Sequence, residues 1–97
     1  MTQKQYIDAV KTLGFEYDNW ERHNTMLFFN SSNEALTVVY EPKTGHALIN
    51  TGGIHALVID NRVTQCFRFK GFVPESAVKN FRTRLECALE LTLNGRA

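Results

Sequence analysis

Ninety-seven residues, 43% of them hydrophobic and 22% charged, make a chain of one domain around one core and exclude a disordered segment. No apolar run approaches the roughly 20 residues of a membrane-crossing helix, and the opening MTQKQYIDAV lacks the basic-then-apolar plan of a secretion signal, so no membrane partner and a cytoplasmic location are expected. A net charge of +1 falls well short of the basic footprint of a nucleic-acid binder.

Thr2, with Gln5 three residues on, forms a capping box and predicts a helix start. Tyr6, Ile7, Val10 and Leu13 follow at helical spacing as the buried stripe, and Gly14 suits the left-handed residue past the helix end. Lys4, Asp8 and Lys11 share the outer face, where ion pairing is expected. In FEYDNWERHN the alternation predicts a short strand at 15–17, a turn at Asp18-Asn19 and a second strand from Trp20. Residues 25–29 and 35–41 are strands rich in aromatic and β-branched side chains, with Ser31-Ser32-Asn33 turning between them.

Pro42-Lys43-Thr44-Gly45 closes a hairpin into His46-Ala47-Leu48-Ile49, and Thr51-Gly52-Gly53 turns into a second hairpin over 54–72. Its tip is Asp60-Asn61, two residues that tolerate left-handed backbone. A period of two then places Val63, Gln65, Phe67 and Phe69 on one face, with Val63, Phe67 and Phe69 anchoring the last helix, and Thr64, Cys66, Arg68 and Lys70 on the other. Pro74 opens that helix at a first-turn position, with Glu75 at its positive end. Ala77, Val78, Phe81, Leu85, Ala88, Leu89 and Thr92 form its stripe, and Leu91 lies off it, open to solvent or to a partner.

Links this short favour antiparallel neighbours. The expected fold is α+β: an antiparallel sheet of four to five strands in a meander, flanked by an N-terminal and a C-terminal helix that cover one face. The other face must then be polar, or covered by the 15–20 segment, or covered by a second molecule.

Chemistry-bearing residues are sparse. His23, His46, His55, Asp60, Cys66 and Cys87 include no pair at two- to four-residue spacing, so no metal and no cofactor is expected. Both cysteines are expected reduced and packed. No nucleophile motif is present, and Thr51-Gly52-Gly53 is too short for a phosphate loop, so no enzyme is expected. Charge is unevenly spread along the chain. Residues 1–42 carry three cations against six carboxylates, and 43–97 carry eight cations against four carboxylates. One candidate surface is therefore acidic: Asp8, Glu16, Asp18, Glu21, Glu34 and Glu41, with Trp20 among them. The alternative is a nucleic-acid-binding module built on Arg62, Arg68, Lys70, Lys79, Arg82 and Arg84. It is disfavoured because Glu86 and Glu90 interrupt the helix face.

A chain of this length with the helix TQKQYIDAVKTLG, the acidic segment FEYDNWE and no enzyme or DNA-binding motif resembles the small inhibitors made by phages and prophages. Among anti-CRISPR proteins it resembles a type I-F inhibitor. That resemblance implies a protein of the host bacterial cytosol that binds the crRNA-guided Cas surveillance complex and blocks target DNA at a basic groove. Some members imitate the duplex with carboxylates, a role open here to Asp8, Glu16, Asp18, Glu21, Glu34 and Glu41, beside Trp20. A net charge of +1 departs from the strongly acidic mimics and points to mimicry by one face only. A monomer that makes no direct nucleic-acid contact is expected.

Overall fold

The structure, a computed structural model, describes residues 1–22 and 25–94, and the side chains of residues 19–22 lie outside that description. The order is α1 (Gln3–Thr12), β1 (Glu16–Arg22), β2 (Met26–Asn30), β3 (Ala35–Glu41), β4 (His46–Thr51), β5 (Ile54–Ile59), β6 (Arg62–Arg68) and α2 (Glu75–Leu93). The strands form one sheet in sequence order, β1 to β6, every pair antiparallel. The α+β meander is as expected, with six strands where four to five were. The difference arises at the segment after α1. Asp18-Asn19 does not turn; it lies in the bulged part of a single edge strand, whose register on β2 shifts between Tyr17 and Glu21.

Local chemistry sets the element ends. Thr2 accepts from the Gln5 amide and Gln5 accepts from the Thr2 amide, closing the capping box. Gly14 leaves α1 with a φ of 94°. Asp60 and Asn61 both hold positive φ, 51° and 67°, the pairing that matches a two-residue hairpin to the strand twist. Pro74 is the cap that precedes α2, one position earlier than expected.

Both helices pack on the same side of the sheet. Tyr6, Ala9 and Val10 of α1 and Phe81, Leu85, Ala88 and Leu89 of α2 meet Leu27, Phe29, Leu36, Val38, Ile49, Ala56 and Val58 in one core. Arg84 ties the helices together by donating to Leu13 O at 2.7 Å. Two tyrosines close the far end. Tyr6 donates to Gly45 O, Tyr40 donates to Met1 O at 3.1 Å, and their rings meet edge to face at 5.4 Å.

Burial, and secondarily Tyr40, pushes the Tyr6 phenol up to about 12 from its usual 10.0. A raised pKa means the folded state holds the proton more tightly than the unfolded chain does. The stabilisation is full below the unfolded value and is lost as pH rises through the folded one. Stability to urea should fall between pH 10 and about 12. Tyr6→Phe should flatten that fall while itself losing about 1 kcal/mol from the missing hydrogen bond.

Gly45 gives a second expectation. Its φ is 73°, and a Cβ there would lie 2.7 Å from Met1 O. Gly45→Ala should destabilise the fold by about 1–3 kcal/mol, read from the urea midpoint at neutral pH.

Candidate functional site

Because the strands alternate, each residue that enters the helix layer sends its neighbour to the opposite face. Register carries that face across the sheet in rows. Val39, Leu48, Leu57 and Gln65 stand side by side, and so do Thr37, Asn50, His55 and Phe67. Ile59 and Arg62 follow at one end, and Phe69 lies beyond Phe67 at the other. Among the described residues nothing packs on this face, and its middle holds no charged side chain. The second face is mixed: Val39, Leu48, Leu57 and Phe67 share it with Thr37, Asn50, His55 and Gln65.

Phe67 and Phe69 belong to this open face, which corrects the expectation that they anchor the last helix. On β6, Gln65 pairs with Leu57 but Val63 pairs with Val58, so Thr64 is an extra residue, a bulge that reverses the alternation. Val63 enters the core, yet the next inward residues are Cys66 and Arg68, not Gln65 and Phe67. Cys66 Sγ donates to Val78 O at 3.6 Å and Arg68 Nη1 donates to Val73 O at 3.0 Å. With α2 this close, a thiol fits where a phenyl ring would not. Phe67 and Phe69 are left 45% and 49% exposed, flanking the His55 ring with centroids at 5.4 and 4.0 Å. Sequence reasoning missed these two because a strict period of two hides a bulge; a threonine is its only local trace.

The carboxylates do not gather into one face. Glu16 and Asp18 are exposed on the edge strand β1. Glu34 sits between β2 and β3, lining a cleft of about 340 Å³ with Phe15, Phe72 and Arg84. Glu41 ends β3, about 23 Å from Glu34 along the strand, and accepts from the Lys43 amide at 3.1 Å. Asp8 lies on α1 and makes no ion pair with Lys4 or Lys11, contrary to expectation. Among the described residues, Asp8, Glu16, Asp18 and Glu34 have no cationic partner. The side chains of Trp20 and Glu21 lie outside the described residues.

The basic set is drawn into the fold. Arg68 and Arg84 donate to backbone carbonyls as above. Arg82 donates to Val63 O and to Glu86, both at 2.9 Å. Only Arg62, Lys70 and Lys79 of that set have no such tie among the described residues. Arg82, Lys79 and Glu75 line a cleft of about 360 Å³ over Cys66, whose thiol burial pushes up, the opposite of activation. Both cysteines are free, Cys87 exposed on α2 and Cys66 half-buried. No group of three His, Cys, Asp or Glu side chains converges on a metal site among the described residues. His46 is the only described histidine paired with a carboxylate, Asp60, at 3.8 Å. No described helix is long and apolar enough to cross a membrane.

Asn50 Oδ1, in the middle of the open face, is shielded from water and accepts no hydrogen bond. Removing an orphaned acceptor and supplying a β-branched side chain both favour the strand. Asn50→Val should therefore raise stability by about 1 kcal/mol, measured by urea unfolding at micromolar protein. Comparison with protein-family models, curated proteins and solved structures finds no match to this chain.

Proposed function

We propose that this chain works by binding another protein, and that its open sheet face is the contact surface. The observation that carries this reading is the exposure of Val39, Phe67 and Phe69 beside half-buried Leu48 and Leu57, on a face that no described residue covers and that is free of charge at its centre. Exposed apolar side chains gathered on one face mark a contact surface. Catalysis gains no comparable support. The one partly buried thiol, Cys66, has its pKa raised by burial, the opposite of activation.

The resemblance to type I-F inhibitors supplies the partner to test, the Cas surveillance complex. Glu16 and Asp18 stand on the edge strand, exposed and without a cationic partner among the described residues, where they would meet the lysines of a basic groove. In this reading the carboxylates steer and orient the complex, and apolar burial supplies its affinity. The nucleic-acid alternative has less behind it, because three of its six cations already serve the fold.

The immobilised chain should capture purified type I-F surveillance complex from solution. Phe67→Asp should reduce capture at least about tenfold, since a charge would be buried at the contact. Glu16→Lys with Asp18→Lys should slow association and weaken its salt dependence. Both variants change exposed positions, so circular dichroism should match the parent. No capture by the parent chain would sink the partner, and capture unaffected by Phe67→Asp would sink the surface.

A further inference from the structure

The last strand pairs on one side only. β6 has β5 as its single neighbour, so half of its backbone groups face away from the sheet. The ladder decides which half. The Phe69 amide donates to Gly53 O at 2.9 Å, and bonded residues alternate along an antiparallel pair. Gln65 and Phe67 therefore bond to β5 as Phe69 does, and the amides and carbonyls of Cys66 and Arg68 point outward. Beyond the Thr64 bulge the next outward carbonyl, Val63 O, is taken by Arg82. Among the described residues nothing bonds to the four outward groups of Cys66 and Arg68.

A cleft of about 360 Å³ runs beside this edge. Cys66, Phe67 and Arg68 form one wall, and Glu75, Val78, Lys79 and Arg82 along one flank of α2 form the other. Three cations line it against one carboxylate. Arg82 is paired with Glu86, while Arg68 and Lys79 have no anionic partner among the described residues.

We propose that this edge takes an extended acidic segment of another protein as a seventh strand of the sheet. The backbone decides the class of ligand. Cys66 and Arg68 each offer an N–H and a C=O, about 6.8 Å apart, the repeat of every second residue in an extended peptide. Nucleic acid does not match this pattern, because phosphate oxygens only accept and would meet the two carbonyls as well as the amides. The unpaired cations decide the charge of the segment. A second copy offering its own β6 would set one basic edge against another, which is repulsive. The wall from Gln65 to Phe69 is about 14 Å long, room for roughly four residues. A strand added here extends the sheet sideways and leaves the open face free, so this contact is separate from the one proposed above and does not depend on it.

Fluorescence anisotropy of the full chain with a labelled hexapeptide of alternating aspartate and valine tests this. Saturable binding below about 1 mM is expected. The same peptide with lysine in place of aspartate should bind at least about tenfold more weakly. Methylating its peptide nitrogens should abolish binding, since the ladder then has no donors. Lys79→Glu, an exposed change that leaves circular dichroism unaltered, should weaken binding roughly three- to tenfold. The Cys66 and Arg68 amides should exchange with solvent freely in the chain alone and at least about tenfold more slowly with peptide bound. No binding at about 5 mM peptide, or binding that survives methylation, would overturn the added strand. Equal binding of the lysine peptide would overturn the acidic segment. Tighter binding of a labelled oligothymidylate at the same two amides would give the edge to nucleic acid, and a peptide-free dimer that already protects them would give it to a second copy; either result overturns the proposal.

Discussion

Both helices lie on one face of the sheet, and the rest of the molecule follows from that choice. Two helices supply enough apolar surface to bury every second side chain of the strands and nothing for the alternate ones. The inward set is a complete core, with Leu27, Val38, Ile49, Ala56 and Val58 excluded from water. The outward set would be expected to be polar, as in most antiparallel sheets with one solvated side. Here Val39, Leu48, Leu57 and Phe67 stand where threonine, lysine or glutamate would serve solubility better. One-sided cover beside exposed apolar groups on the other side is a mismatch, and it is the ground for reading that face as a contact surface.

The Thr64 bulge sharpens the mismatch. Without it Phe67 and Phe69 would point under α2, and Cys66 and Arg68 would meet solvent. With it the small thiol and the hydrogen-bonding guanidinium take the crowded side. The two rings remain nearly half exposed. Full burial of a phenylalanine is worth about 1.5–3 kcal/mol, so each ring forgoes roughly half of that in the isolated chain.

The parts of this fold legible in the sequence are those decided by neighbours along the chain. Thr2 with Gln5, Gly14 and Asp60-Asn61 each fix a turn or an end through their own backbone geometry, and each stands where the pattern placed it. Short links forced the meander. The bulge was not legible, because what places it is the approach of α2 to β6, two elements that meet only through tertiary packing. The course of β1 was missed for a similar reason: Asp18-Asn19 suits a turn, yet pairing with β2 holds the segment extended through its irregularity. Nor could the pattern show that Glu34 and Glu41 end up at opposite ends of β3, or that the arginines would be spent on carbonyls. Charge counts carry no such geometry.

A meander keeps each strand beside its predecessor, so nearness in the sequence becomes nearness in the sheet. Charge does not inherit that simple order. Glu16 and Asp18 lie exposed on edge strand β1, Glu34 and Glu41 stand at opposite ends of β3, and Arg82 pairs with Glu86 on α2. The net charge of +1 therefore conceals an arrangement set by strand ends and helix faces, which a count over the two halves of the chain does not capture.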